Sequence, residues 1–403
     1  MNKRRGSISW ACLGVMLAGA GCQLATAATV CVSVTGTCAY HTIDAAIKAV
    51  NAGDTIMVQA GVYNEMVTIT RSVVLQGAGR DRTIINAFGL ANGIYVNGSA
   101  KAPGTGVGNV VISGVQVQNA NFEGILVMNA NGVTISNSQV SGNDRSLNTA
   151  DASAIVCENL PAFETSESED CGEGIHLIGV DHSVIANNIV RNNSGGILMS
   201  DETGPTHDNV IHGNTVSTNI YDCGITLASH PVATLGGQKA PGGVYRNTIS
   251  GNTSTGNGTA FGGAGIGLFA AGPGNATYGN VIINNVVTGN GHPGISLHNH
   301  AAPKGAPAPN LNDNIIIGNQ IAGNGADTGD ASTPGPTAIN IYSVAPVAGT
   351  VITQNVVRNE MLGVAVHTPS GAVQIHLNDL GGETGVDNIG SGTIDANLNY
   401  WGC

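Results

Sequence analysis

Six side chains of this 403-residue sequence stand out as groups able to move protons: His176, Asp201, His207, Asp222, His230 and His298. An imidazole accepts a proton near neutral pH without any environmental tuning. Carboxylates held close together can divide acid and base roles between them. Glu173, Glu202, Phe269, His300 and Tyr342 are suited to holding a substrate, the acids and the imidazole by hydrogen bonds and the rings by stacking. Asp201, Glu202 and Asp222 also offer the oxygen donors that a hard cation such as Ca2+ requires. Other histidines, His182, His212 and His376, read as ordinary turn or rung residues, and Asp201-Glu202 has the alternative reading of a solvated turn.

What must position these groups is a repeat. One block runs Val184-Ile185-Ala186-Asn187-Asn188 and returns at Val210, Thr248, Val281, Ile315 and Val351, with looser copies at Val110 and Val133. A second Asn follows each full copy at a fixed offset: Asn193, Asn219, Asn257, Asn290 and Asn324, with Asn359 one position early in the last. A second block, Gly-Ile-x-Leu and its variants, starts at Gly124, Gly174, Gly196, Gly224, Gly265, Gly294, Ala338 and Gly363. Each is a short strand whose alternate side chains face inward. One such rung cannot bury its own apolar face, so rungs must stack and share a core. Composition agrees: 59 glycines and only 4% aromatic residues suit many turns around a narrow aliphatic interior rather than a core built on large rings. The recurring Asn residues are expected at the corners, tolerating left-handed backbone and forming side-chain ladders. Tyr40–Ala49 is the one helical segment, with Ile43, Ala46 and Ile47 on one face, placed to cap the open end of the stack.

Aligned rungs predict which residues share a face. In the Gly-Ile-x-Leu strands, the residue between Ile and Leu points outward, giving a column His176, Leu198, Thr226, Gly267, Ser296, Asn340. The residue after Leu gives another: Ile178, Ser200, Ala228, Phe269, His298, Tyr342, His367. Loops at this edge bring Asp201, Glu202, His207, Asp208, His230 and His300 on one side and Asp170, Glu173 and Asp222 on the other. The long connections 144–173, 229–244, 301–313 and 326–337 are placed to wall a groove.

The first 27 residues read as an export signal: basic Lys3, Arg4 and Arg5, an apolar run from Ile8 to Ala20, and a small-x-small site at Ala25-Thr26-Ala27. Residues 28–403 are then the β-solenoid domain of a secreted or periplasmic protein, with lipid attachment at Cys22 the alternative to simple cleavage. No later stretch is long and apolar enough for a membrane helix. Export suits disulfides, and the short loops favour Cys31–Cys38 and Cys157–Cys171, leaving the pairing of Cys223 and Cys403 open. With 14 basic against 26 acidic residues, the chain lacks the positive footprint of a nucleic-acid binder. Oligomeric state is not written in the sequence.

The segment TIDAAIKAVNAGDTIMVQAGVYNE, the VIxxN rungs and the closing Asn399-Tyr400-Trp401-Gly402 resemble the pectate-lyase-like, right-handed parallel β-helix repeat proteins, NosD-like members included. The resemblance spans roughly residues 30 to 403 and implies an all-β, single-stranded right-handed parallel β-helix. It implies little about activity, since this fold carries many functions. Gly61-Val62-Tyr63-Asn64-Glu65 resembles the opening motif of pectin methylesterases, but the later esterase motifs are missing, so it reads as a generic first-rung strand. Gly204-Pro205-Thr206-His207-Asp208 is a partial match to the Asp-Pro-His-Asp motif of alginate epimerases, without its first Asp. The resulting expectation is a carbohydrate-active protein on a polysaccharide or oligosaccharide: a lyase or C5-epimerase with a His base, aided by Ca2+ at Asp201, Glu202 or Asp222. The alternatives are a hydrolase of a neutral glycan using paired carboxylates, and a non-catalytic protein that binds glycan or a partner.

Overall fold

The structure, a computed structural model, describes residues 27–98, 106–150, 156–158, 172–230, 242–299, 305–329 and 331–402. Three long parallel sheets, one of 13 strands and two of 11, run the length of the molecule. Each rung contributes one strand to each sheet; Val184–Ala186, Ile189–Arg191 and Ile197–Ser200 form one such turn. The order within every sheet follows the sequence, so the chain coils as a parallel β-helix.

Most strands of these sheets are three or four residues long, because a single inward side chain, or two, is all that each has to deliver. In the first sheet, Ile112, Ile135, Ile185, Ile211, Ile249, Ile282, Ile316, Ile352 and Ile375 lie in register and are all fully buried. Each buried aliphatic side chain of this kind contributes roughly 1.5–3 kcal/mol. The second sheet repeats this with Val140, Val190, Val216, Val287, Ile321 and Val357, interrupted once by Ser254. Ser254 is tolerated in the core because its hydroxyl donates to Gly265 O at 2.7 Å and accepts from Asn257 Nδ2 at 3.0 Å.

At the corners the expected role of Asn divides between two residues. The left-handed position is the one before the repeating Asn: Asn187 (φ 58°), Gly213 (φ 63°), Gly251 (φ 60°), Asn284 (φ 55°) and Gln354 (φ 57°). The following Asn turns inward and builds the ladder. The Nδ2 of Asn188, Asn214, Asn252, Asn285, Asn319 and Asn355 each donates to the next Asn Oδ1 at 2.9–3.0 Å, and each backbone N–H donates to the same oxygen. A second ladder joins Asn143, Asn193, Asn219, Asn257, Asn290 and Asn324. It ends on Glu360, whose Oε1 takes both the Asn324 backbone N–H and its Nδ2. The apparently early Asn359 is thus not a ladder residue but the left-handed one, φ 55°. A third ladder, Asn209, Asn247, Asn280 and Asn314, was not apparent as a separate column in the sequence.

At the N-terminal end, the helix Ile43–Ala49 lays Ile43, Ala46 and Ile47 on the core. Its first amides donate to one carboxylate, Ile43 N to Glu65 Oε1 at 2.8 Å and Asp44 N to Glu65 Oε2 at 2.9 Å. The Gly61–Glu65 motif therefore does more than open a rung: its Glu satisfies orphan amides at the helix start. Cys31 and Cys38 form the expected disulfide. Cys157 is also disulfide-bonded, while Cys171 and Cys403 lie outside the described residues. Cys223 is a free thiol, not half of a bridge, and burial pushes its pKa well above the ordinary value, which removes it as a nucleophile. No helix among the described residues is long and apolar enough to cross a membrane. The export signal lies almost wholly outside them.

Candidate active site

The third sheet carries the Gly-Ile-x-Leu strands, and both outward columns are in the register the repeats predict. His176 pairs with Leu198, Leu198 with Thr226 and Gly267 with Ser296; Phe269 pairs with His298, His298 with Tyr342 and Tyr342 with His367. The first column is nevertheless not a solvent-facing surface. His176, Leu198, Ser296 and Asn340 are all buried. Beside them Leu126, Met128 and Ile178 pack with Tyr95 into a separate apolar cluster on the outside of the sheet. Pointing away from the core is therefore not the same as pointing into water.

Within this covered region lies a continuous line of polar contacts. His176 Nδ1 is 3.3 Å from Glu123 Oε1, and its Nε2 is 2.8 Å from Ser200 Oγ. Ser200 Oγ donates to Glu202 Oε2 at 2.5 Å, and Glu202 Oε1 is 2.7 Å from His230 Nδ1. Carboxylate, imidazole, hydroxyl, carboxylate and imidazole follow one another, and every member is buried. Burial alone raises the Glu202 carboxyl, but the His230 and His176 imidazoles and the Ser200 hydroxyl outweigh it and hold the pKa at about 2. Glu202 is thus a permanent anion. Bonded to His230 Nδ1, it orients that ring and leaves Nε2 as the nitrogen turned from the carboxylate.

Asp201, next in the chain, plays another part. Its carboxylate accepts from the His230 backbone N–H at 2.8 Å, from Ser229 Oγ at 2.8 Å, and from the Gly243 backbone N–H. These donors stand on either side of the connection 231–241, so Asp201 ties its two ends together. Burial lifts its pKa to about 6, with the Glu202 charge adding to the rise and the three hydrogen bonds restraining it.

Glu173 is buried with its carboxylate against Gly195, where an added Cβ would come within 2.3 Å of both oxygens. It holds the same rung position as Glu123: Gly93 N donates to Glu123 O and Gly124 N to Glu173 O. Further along the stack, half-buried rings continue the line from the buried His230: His230 and Phe269 centroids are 6.4 Å apart, Phe269 and His298 4.6 Å, Tyr342 and His367 5.0 Å.

Two expected members stand elsewhere. His207 sits on a narrow strip of its own, Thr206–His207 beside Val244–Tyr245 and Thr277–Tyr278. There its Nδ1 meets Asp208 Oδ2 at 2.7 Å and its ring stacks on Tyr245 at 4.9 Å. Arg246 grips Asp208 through two hydrogen bonds of 2.6–2.8 Å and, as their main cause, holds that carboxyl well below its usual range. Asp222 lies on the loop before Gly224, next to Cys223. His300 lies outside the described residues. Among the described residues no group of three or more His, Cys, Asp or Glu is gathered so that it could hold a metal, and the Asp201 and Glu202 carboxylates are engaged with Ser229, Gly243, His230 and Ser200. Of the remaining members, Ser200 stood in the predicted outward column without a role, and Glu123 was not singled out by the sequence. Aligning Glu123-Gly124-Ile125 with Glu173-Gly174-Ile175 would have exposed Glu123.

A family model described as a right handed beta helix region matches residues 64–240. No curated protein matches significantly. Among solved structures, the A-module of the Azotobacter vinelandii mannuronan C-5 epimerase AlgE4 superposes with a TM-score of 0.58 at 17% identity, covering 87% of this chain and 94% of that one. An alginate lyase from Paenibacillus sp. gives 0.51 at 15% identity, with 81% and 95% covered. The Dettilon tailspike protein gives 0.52 at 14% identity, with 81% and 56% covered. At these identities the likeness speaks for the fold. Sheets, register and the partial family match agree that the chain folds as a right-handed parallel β-helix.

Proposed function

We propose that this chain is an exported carbohydrate-active enzyme that removes the C5 proton of a uronic-acid residue in a polysaccharide, as a lyase or a C5-epimerase. The observation that carries the reading is the Glu202–His230 dyad at the end of the buried line Glu123–His176–Ser200–Glu202–His230. His230 Nε2, buried in this structure, has to be uncovered by the arriving substrate to take the proton; Glu202 then stabilises the imidazolium that forms, while Ser200, held in turn by His176, fixes the Glu202 carboxylate in place. In elimination, the C5–H electrons form the C4–C5 double bond as the C4–O bond to the next sugar breaks, and the departing oxygen takes a proton from the His230 imidazolium or from water. In epimerisation, water on the opposite face returns a proton to C5 and His230 gives its proton up to solvent. The fold shared with an epimerase and an alginate lyase is consistent with either outcome.

A second reading is hydrolysis of a neutral glycan. It is favoured by Glu123 and Glu173 holding equivalent positions one rung apart, which stacks two carboxylate-bearing residues on the same side of the helix. The net charge of −12 also places no obstacle before a neutral substrate. Incubating the protein with polyuronates and neutral glucans, and following absorbance at 235 nm beside reducing ends, separates the readings. Unsaturated product from polyuronate alone supports the lyase; reducing ends without 235 nm absorbance support hydrolysis. A polyuronate whose residues change configuration without chain cleavage supports the epimerase.

A further inference from the structure

Beyond the relay, the outward column of the third sheet runs on through Phe269, His298, Tyr342 and His367 and ends in a cleft. The cleft, about 260 Å³, is lined by Tyr342, Ser343, Val344, His367, Thr368 and Pro369, closed by Gly390 and Ser391. Its two rings meet edge to face at 5.0 Å, and both are only partly covered. The His367 Nδ1 is buried without a hydrogen-bond partner. No carboxylate lines the cleft, in a chain where acids outnumber Lys and Arg 26 to 14.

We infer that this cleft is a distal subsite that holds one acidic sugar ring of a bound glycan, stacked on Tyr342 with His367 at its polar edge. The inference rests on the proposed uronan reading and names a part of the substrate that the reading leaves unplaced. The His230 rung and the Tyr342 rung are three steps apart, ~14 Å at ~4.8 Å per rung, which a short oligosaccharide spans and a single sugar does not. An aromatic face takes the apolar side of a pyranose ring, and an imidazole presents a donor to a carboxylate without the repulsion that the rest of the surface offers. Ser343 is not free to join in, because its hydroxyl already donates to Ala345 O at 2.6 Å and accepts from Asn299 Nδ2 at 2.7 Å. The recognition therefore falls to Tyr342 and His367.

The test measures binding of mannuronate oligomers of increasing length to the full chain by calorimetry, in a His230→Gln background that prevents turnover. With Tyr342 intact, affinity rises by at least tenfold once the oligomer is long enough to bridge both rungs. Tyr342→Ala removes that rise while leaving the affinity for the shortest oligomers in place, and Tyr342→Phe, which keeps the stacking face, restores it. Unchanged length dependence in Tyr342→Ala overturns the subsite and leaves the uronan reading standing. Equal loss at every length also overturns it, by making Tyr342 a structural residue. Binding of no oligomer at any length with Tyr342 intact overturns the uronan reading itself, and the subsite with it.

Discussion

Asp201 and Glu202 share a peptide bond, yet burial acts on them with opposite results. Glu202 is compensated by two imidazoles and a hydroxyl and stays ionised down to about pH 2. Its depressed pKa contributes stability that is full above the unfolded value near 4.5 and is lost as the pH falls toward 2. Asp201 ionises in the fold only near pH 6, so the native state binds the extra proton between about pH 4 and 6. Its contribution therefore declines as the pH rises through that window. Thermal unfolding of Asp201→Asn and Glu202→Gln across pH 3 to 7 checks both signs. The Asn variant should gain on the parent protein as the pH rises from 4 to 6. The Gln variant should fall further behind the parent as the pH rises from 3 to 5. The same residues direct the catalytic prediction. Glu202→Gln removes the anion that stabilises imidazolium and should lower kcat by about 10²–10⁴, the range of a general-base contribution. An effect confined to KM would contradict the role given to it.

At the scale of elements, the corners concentrate the cost of change. Asn252 donates to Ile211 O and Asn285 Oδ1 and accepts both donors of Asn214. Asn252→Ala strands buried partners on both adjacent rungs and should cost about 2–5 kcal/mol in denaturant unfolding. Gly251→Ala, one position earlier, has room, its added Cβ meeting only the His212 ring at 3.5 Å, but sits at φ 60°. It should cost about 1–2 kcal/mol. A reversed order of the two would show that the ladder is not what holds the corner. At the cap, Glu65→Ala leaves the Ile43 and Asp44 amides unsatisfied and should speed their hydrogen exchange, at about 1 kcal/mol. Strand register and the two outward columns were legible in the sequence because period and length are local properties. The split between left-handed residue and ladder residue was not, since Asn187-Asn188 and Gly213-Asn214 look alike until the backbone is seen. Glu65 and Glu360 were missed for a similar reason: both complete hydrogen bonds to residues more than 20 positions away.

For the molecule as a whole, stacking decides what the site can be. Rung register brings Glu123, His176 and Ser200 together from far apart in the chain, and no local motif announces them. Sequence reading placed His176 and Glu202 on the right sheet edge but expected an exposed stripe, because orientation relative to the core is periodic while cover from outside is not. His207 and Asp222 were grouped with them for lying on neighbouring loops; the fold sends His207 to the Tyr245 stack instead. The central claim is that this buried line ends in a base that takes the C5 proton of a uronate. The direct measurement is proton NMR of polymannuronate incubated with the protein in D2O. The account predicts loss of the C5 proton signal, through deuterium at C5 or an unsaturated end group, with loss abolished in His230→Ala and folding retained. An unchanged C5 signal, or equal loss with and without His230, would contradict it.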